Sequence, residues 1–404
     1  MSDSECPSRD VDALIIGGGI AALWTAATLR SEGYSVIVLT NAALGTGQSL
    51  AAQGVIHGGL KYAVGGTLTE SSEALAEMPD RWRAALRGDG PVDLRTAELL
   101  SEHQILWSLP GVLSQVVGFF GSKMVRGRSR ALAKDEYPAP FHDPRYGGRI
   151  FQIDEPVVDP VSVIAALAEL LRPVTYLVDW QTNASLVTGG DGLEAVRLRQ
   201  EDGSKIRIKA KRYLFAAGAG NAGLLAELNH TAPTMQLRPL HQLIIRRQEL
   251  PEVYSVCVGS GPKPPMVVTT HTDSAGRKVW YVGGDIAESV GVARDEAAQI
   301  SAGRELFARL QPWVDLTEAE WFTSRSERAE PDVGTGDRPP GAYCQRLGNV
   351  LVAWPTKLAL APNLADQVFK EMPTQQGMVS DSTLLLPTLL LPHPGVGRAP
   401  WDLP

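Results

Sequence analysis

The sequence lacks the features of several large classes of protein. Its 404 residues include three cysteines, Cys6, Cys257 and Cys344, whose wide spacing fits neither a metal site nor a disulfide framework. The net charge of −7 leaves no basic surplus for a nucleic-acid partner. No apolar run reaches the roughly 18 residues of a transmembrane segment, and the N-terminus, MSDSECPSRD, is too polar for a secretory signal. We therefore expect a cytoplasmic protein without a transmembrane segment.

Motifs for hydrolysis and for metal binding are also absent. The sequence has no G-x-S-x-G motif and no paired acid motif, and its seven histidines show no ligand spacing. We expect no metal. Glycine, in contrast, is plentiful at 40 residues, and its placement is informative.

The clearest local pattern is VDALIIGGGIAALWTAATLRSEGYSVIVLT, residues 11–40. An apolar run meets three glycines, a helical pattern follows from Ile20 to about Ser31, and Gly33 ends it. A second apolar run follows at once. This order predicts a strand–helix–strand unit of two parallel strands.

Gly17, Gly19 and Ala22 follow the G-x-G-x-x-G/A pattern at the first turn of this unit. The glycines allow a tight turn and close approach of a pyrophosphate, and the alanine lets the helix pack near the strand. The second strand ends in Thr40-Asn41 instead of the acidic residue that usually holds the ribose, and no basic residue favours NADP.

Three distant segments of small residues indicate FAD rather than NAD. Residues 42–59 follow the second strand, residues 212–224 (RYLFAAGAGNAGL) end a later strand, and residues 348–368 turn from a strand into a helix. An extended cofactor needs backbone without side-chain bulk at each place where it lies close to the chain. The N-terminus of the last helix would stabilise negative charge on a reduced flavin.

These segments resemble FAD-dependent oxidoreductases of the D-amino-acid oxidase and glycerol-3-phosphate dehydrogenase superfamily. The stretches similar to the glycerol-3-phosphate dehydrogenase branch are IHGGLKY (56–62), SEALAE (72–77), SRSERAEP (324–331) and PTKLALAPNLADQV (355–368). The sequence departs from the family at Thr40, at Lys61, which replaces an arginine, and at Trp354-Pro355-Thr356, which replaces a glycine pair. The tail here leaves no room for the additional C-terminal domain of those dehydrogenases.

The resemblance implies oxidation of a small anionic substrate at a CH–OH carbon, by hydride transfer to flavin N5. The substrate would be a 2-hydroxy acid or a glycerol-phosphate-like molecule, and oxygen, a quinone or another acceptor would take the electrons. One alternative is an amino-acid or amine oxidase acting at CH–NH. Another is a flavin-binding subunit of a multi-subunit dehydrogenase or electron-transfer complex. A partner subunit and a homo-oligomer both stay open.

The expected fold is α/β, with a Rossmann-like FAD-binding lobe interleaved with a substrate lobe that carries an antiparallel sheet. The FAD lobe is expected at 11–85, 150–235 and 330–372, the substrate lobe at 86–149 and 236–329, and a Leu/Pro-rich tail at 373–404. The tail either packs over the body or docks a subunit or membrane surface.

Three residues are expected to be catalytic: His57 as base, Arg328 as anion clamp, and Lys357 near the flavin. Substrate contacts are expected from Lys61, Tyr62, His241 and Arg325. For His57 and His241 a structural role is an equal alternative, and Lys61 and Tyr62 could be ordinary surface residues.

The expected cofactor-binding residues are spread over the three small-residue segments and their neighbours. They are Gly17, Gly19, Ala22, Thr40, Asn41, Gly47, Gln48, Ser49, Gln53, Gly54, Val178, Ala217, Gly218, Thr356, Lys357 and Leu358.

Overall fold

The computed structural model describes residues 6–59, 74–109, 129–189, 192–259, 261, 263–334, 339–374 and 389–403. In chain order its strands are β1 (Ser8–Ile16), β2 (Val36–Thr40), β3 (Leu99–Ser101), β4 (Gln104–Ser108), β5 (Ser129–Ala131), β6 (Arg149–Ile153), β7 (Val157–Val158), β8 (Thr175–Leu177), β9 (Ala184–Gly189), β10 (Gly192–Arg199), β11 (Lys205–Phe215), β12 (Met235–Arg247), β13 (Tyr254–Val258), β14 (Val267–Thr272), β15 (Lys278–Gly283), β16 (Glu320–Pro331), β17 (Tyr343–Leu347) and β18 (Val350–Trp354). The α-helices are α1 (Ile20–Ser31), α2 (Met78–Arg87), α3 (Pro160–Leu171), α4 (Asn221–Glu227), α5 (Ser289–Ala293), α6 (Glu296–Leu310) and α7 (Ala361–Glu371).

The first sheet is built around parallel strands in the order β18-β11-β1-β2-β8. Every residue of β2 is buried, as expected for a parallel strand covered on both faces. Helices α1, α3 and α7 pack on one face and form the largest apolar cluster of the molecule. Because parallel strands end at a common edge, the turns after β1, β2, β11 and β18 meet at one place.

The second sheet has the order β16-β12-β15-β14-β13-β4-β6-β5 and is antiparallel except for the pair β4 and β13. Helix α6 covers one face, where Leu306, Phe307 and Leu310 pack against apolar side chains of β12 and β15. The other face contacts the first lobe, since the Tyr281 hydroxyl donates to the Ala51 carbonyl at 3.2 Å. This arrangement confirms the expected mixed α/β fold.

Residues 389–403 form a C-terminal strap that touches both sheets. The Leu177 N–H at the end of β8 donates to the Pro392 carbonyl at 2.7 Å, and Val396 pairs with Leu44 in a parallel bridge. Trp401 then packs with Tyr281 and Ile244 of the second sheet. The part of the Leu/Pro-rich tail that the structure describes therefore packs over the body.

Within the residues placed by the structure, no helix combines the length and the apolar character needed to cross a bilayer.

Candidate active site and cofactor cleft

The turn after β1 has the geometry that its glycines require. Gly17 adopts a φ of 140°, and a Cβ added there would lie 2.3 Å from the Ala216 carbonyl oxygen. Its N–H donates to the Leu39 carbonyl at 2.8 Å, so the turn is fixed between the ends of β2 and β11. A side chain at this position would force the strand ends apart.

The first turn of α1 faces the same edge of the sheet. Gly19 is the N-cap and provides no side chain, and the Ser49 hydroxyl accepts from the Ile20 N–H at 2.9 Å. Ala22 is fully buried in the helix–sheet core, where a larger side chain would lift the helix. This helix N-terminus and its small neighbours suit a pyrophosphate.

The end of β2 differs in detail from the expected ribose site. The Thr40 hydroxyl donates to the Ala42 carbonyl at 3.1 Å, and its own carbonyl accepts from the Val178 N–H at 2.8 Å. Asn41 is exposed beside it. A ribose contact from Thr40 would compete with this local turn, so Asn41 is the more accessible polar group.

The segment after β2 runs between the two sheets and is tied to the second one. The Gln48 side chain accepts from the Ala329 N–H at 3.2 Å. The Gln53 amide donates to the Val267 and Tyr281 carbonyls at 3.2 and 3.0 Å. These two glutamines therefore fix the position of the segment through contacts with protein groups.

Two glycines on opposite sides of this edge leave room for a ligand. Among the residues that the structure describes, and apart from the chain neighbours, no heavy atom lies within 4 Å of a Cβ built on Gly47 or on Gly218. Two hydrogen bonds stabilise the turn at Gly218. The Asn221 side chain accepts from the Ala217 N–H at 2.8 Å, and the Trp354 indole N–H donates to the Gly218 carbonyl at 3.1 Å. We call the space bounded by Gly17, Gly19, Gly47 and Gly218 the cofactor cleft, and its residues fit an extended dinucleotide.

The segment between β18 and α7 contains a strained residue. Thr356 has a φ of 60°, which is rare for a β-branched residue, and its hydroxyl donates to the Gly341 carbonyl at 3.0 Å. Lys357 is only 8% exposed, and Leu358 begins the short turn that leads into α7. Backbone strain of this kind concentrates at functional sites.

His57 lies opposite a buried carboxylate. Its Nδ1 is 3.1 Å from Glu155 Oε2, and the Gly58 N–H donates to Glu155 Oε1 at 2.9 Å. The Glu155 side chain is fully buried, and that of His57 is 16% exposed. A carboxylate in this position requires the hydrogen on Nδ1, so proton exchange with a substrate would use Nε2.

Two of the expected substrate residues, Lys61 and Tyr62, lie outside the residues that the structure describes.

His241 and Arg325 lie on the face of the second sheet that carries α5. They are direct cross-strand neighbours, and such neighbours point to the same side. His241 Nδ1 donates to the Gly291 carbonyl at 3.0 Å, and its Nε2 is 2.9 Å from the Thr323 hydroxyl. Arg325 donates to the carbonyls of Val292 and Arg294. These contacts favour the structural alternative for His241 and give Arg325 a similar role.

Alternation along the strand would put Arg328, three positions from Arg325, on the opposite face. It lies across from Arg238, and its guanidinium is 3.7 Å from Glu288. Burial alone would raise the pKa of Glu288, but a hydrogen bond from Lys263 and the charges of Arg328 and Arg238 lower it below its ordinary value. Glu288 is therefore ionised.

Three functional candidates on this face, Tyr281, Gln242 and Ser326, were not predicted from the sequence. Tyr281 donates to Gln242 at 2.5 Å, Ser326 donates to the same oxygen at 3.4 Å, and burial raises the pKa of Tyr281.

Glu155 was also not predicted, because 98 positions separate it from His57. In the sequence Glu155 is one of three acids in DEPVVDP, and nothing there marks it as buried.

Comparisons with known proteins identify the family of the chain. Residues 12–346 match the family model described as FAD dependent oxidoreductase, DAO. The chain is 44% identical over 398 residues to the probable FAD-dependent oxidoreductase PA4991 of Pseudomonas aeruginosa, covering 97% of each chain. The crystal structure of that protein superposes with a TM-score of 0.80 at 39% identity, covering 98% of each chain.

Two more distant solved structures share the fold. Glycine oxidase from Geobacillus kaustophilus has a TM-score of 0.66 at 16% identity, covering 94% of this chain and 99% of its own. L-alpha-glycerophosphate oxidase from Mycoplasma pneumoniae, solved with FAD bound, has a TM-score of 0.61 at 13% identity, covering 98% of each chain.

Proposed function

This chain belongs to the DAO family of FAD-dependent oxidoreductases, and on that premise we propose that it oxidises a small anionic substrate at a CH–OH carbon. The substrate would be a 2-hydroxy acid or a glycerol-phosphate-like molecule. FAD, when bound, supplies the hydride acceptor. Gly17, Gly19, Gly47 and Gly218 would hold it in the cofactor cleft.

The contact between His57 and Glu155 is the observation that favours a hydroxyl substrate. An alcohol must lose its O–H proton as hydride leaves the carbon, and a positioned imidazole is a common group to take it. An amine must lose its ammonium proton before the reaction, but its nitrogen lone pair is then available and no proton has to be taken as hydride leaves. A histidine oriented by a buried carboxylate at 3.1 Å is therefore better suited to a CH–OH carbon than to a CH–NH carbon.

The charge on the second sheet supports an anionic substrate. Arg238, Arg328 and Lys263 lie close together here and form ion pairs with Glu288 and Glu330. A guanidinium can bind a carboxylate or a phosphate through two parallel hydrogen bonds. Arg328, whose side chain is 16% exposed, is our candidate for this contact.

Lys357 is the second cationic candidate. It lies at the entrance to α7, where the helix dipole is positive, and it is almost fully buried. We assign it the stabilisation of negative charge at the reduced cofactor, with a salt-bridge role as the alternative.

Anaerobic mixing of the purified FAD-loaded protein with a substrate panel tests the proposal. Glycerol 3-phosphate, L-lactate and glycolate represent CH–OH substrates, and glycine and L-proline represent CH–NH substrates. We expect a hydroxy compound to bleach the oxidised flavin band, and His57→Ala to slow bleaching about 100-fold or more. His142→Ala, at an exposed position, is the matched control and should leave the rate unchanged.

The other outcomes identify the alternatives. Bleaching by glycine or L-proline alone would replace the proposal with amine oxidation. Bleaching by none of the five compounds, combined with activity in the presence of a co-purified protein, would support a flavin-binding subunit.

A further inference from the structure

His57 and Glu155 are held opposite each other by backbone pairing. Val55 forms an antiparallel bridge with Val157, and the N–H groups of Ile56 and Val158 donate to the carbonyls of Pro156 and Gly54. Continuing this register by two residues from the Val55–Val157 bridge places His57 directly across from Glu155. The backbone pairing therefore sets the two residues opposite each other.

Gly54 makes this pairing possible. Its φ is 75°, and a Cβ added there would lie 1.9 Å from the Val158 carbonyl oxygen. Any side chain would push residues 54–58 away from residues 155–158. The close approach that Gly54 allows is what brings the histidine within reach of the acid.

The environment of Glu155 explains how a fully buried acid is accommodated. Its two oxygens accept from two different donors, the Gly58 N–H and the His57 ring. The neighbouring acid, Asp154, has a separate partner in Arg83 on α2, at 2.5 Å. Burial of a carboxylate is costly unless it is hydrogen-bonded or paired, and the two donors offset part of this cost for Glu155.

We propose that Glu155 is a positioning residue that fixes the tautomer and the orientation of His57, so that Nε2 takes the substrate proton. The inference rests on the proposed function, because it assigns Glu155 a role through the base named there. The carboxylate holds the hydrogen on Nδ1 and stabilises the imidazolium that forms when Nε2 accepts the proton.

The variant Glu155→Gln tests this because it preserves shape and changes hydrogen bonding. A carboxamide has one oxygen and one NH₂ group, so it cannot present an acceptor at both of the positions that face Gly58 and His57 in the wild type. If the oxygen remains with Gly58, the NH₂ group faces Nδ1 and drives the hydrogen to Nε2. Asp154→Asn removes the same charge one position away and is the matched control.

The first measurement needs no substrate. In the FAD-loaded protein labelled with ¹⁵N-histidine, ring nitrogen shifts report which nitrogen carries the hydrogen, and His57→Ala identifies the resonance. We expect hydrogen on Nδ1 in the wild type and in Asp154→Asn, and on Nε2 in Glu155→Gln. The same tautomer in wild type and Glu155→Gln would overturn the proposal.

The second measurement is the flavin reduction rate, with whichever hydroxy compound of the panel bleaches the flavin. We expect Glu155→Gln to slow flavin reduction about 100-fold with KM nearly unchanged. Added to the His57→Ala variant, the same change should cause no further slowing. If Glu155→Gln slowed flavin reduction equally in the wild type and in His57→Ala, or in neither, the role of Glu155 would be overturned, while His57 would remain the proposed base. An unchanged rate in His57→Ala would overturn both this inference and the base in the proposed function.

Discussion

Trp401 stacks on His271, with ring centroids 4.1 Å apart and ring planes inclined by 21°. His271 lies on β14 of the second sheet, and Trp401 is near the end of the C-terminal strap. The same strap has already bonded β8 of the first sheet through Pro392. The C-terminal strap thus connects the two sheets. The segment after β2 also runs between them.

The connection predicts a stability role for Trp401. Its side chain is 1% exposed, and truncation of a buried tryptophan to alanine typically costs about 3–5 kcal/mol. We expect Trp401→Ala to lower the midpoint of urea unfolding, followed by circular dichroism. Leu403→Ala, 47% exposed on the same strap, should change the free energy of unfolding by no more than about 0.5 kcal/mol. Equal effects of the two changes would show that the strap does not depend on the stack.

His271 predicts a loss of stability in acid. Complete burial lowers its pKa from 6.5 to about 3, and Asp159, at 4.0 Å from Nδ1, is too distant for a hydrogen bond that would favour the charged ring. Between pH 6.5 and about pH 3, His271 binds a proton in the unfolded chain but not in the folded chain. Stability therefore falls as the pH drops below 6.5, by at most about 1.4 kcal/mol per pH unit.

The variant His271→Gln isolates this contribution. It has no titrating group, and it keeps a polar atom for Thr269, whose hydroxyl is 3.0 Å from Nε2. Urea unfolding of both proteins between pH 4 and pH 7 gives the two curves. We expect the variant to show a shallower loss in acid, and parallel curves would rule out His271 as the cause.

The parts of the site that could be predicted from the sequence are local ones. Gly17, Gly19 and Ala22 lie within six positions, so their spacing alone predicts a turn and a close helix, and both are present. The pairing of His57 with Glu155 could not be predicted, because it depends on a backbone register between segments 98 positions apart.

The two arginines of β16 illustrate the same limit. Alternation along a strand predicts that Arg325 and Arg328 point to opposite faces. Which face meets the cofactor lobe depends on the pairing of β16 with β12 and on the position of α5, and neither follows from the sequence pattern.

We predict that a side chain at position 17 selectively weakens cofactor binding. In Gly17→Ala, the added Cβ would lie 2.3 Å from the Ala216 oxygen at a φ of 140°. Strain of about 1–3 kcal/mol at this turn corresponds to a loss of roughly 10- to 100-fold in FAD affinity, measured by fluorescence titration of the apoprotein.

Gly203→Ala is the control for Gly17→Ala. Gly203 also has a positive φ, 82°, but nothing lies within 4 Å of its added Cβ. It should therefore lose some stability and retain FAD affinity. Weaker FAD binding in both variants to the same extent would indicate a general loss of folding in place of a specific effect on the cleft.

Arg328 and Arg325 form a matched pair for testing substrate recognition, since they share a strand and differ in their partners, a carboxylate for Arg328 and backbone carbonyls for Arg325. Removing a charged hydrogen bond typically costs about 1.5–3 kcal/mol, so Arg328→Gln should raise KM for the active hydroxy substrate about 10- to 100-fold. Arg325→Gln loses contacts to the Val292 and Arg294 carbonyls, which lowers stability and leaves KM within about twofold. Steady-state kinetics combined with urea unfolding separates the two effects. A larger rise in KM for Arg325→Gln than for Arg328→Gln would place the substrate on the α5 side of the sheet and remove Arg328 from the site.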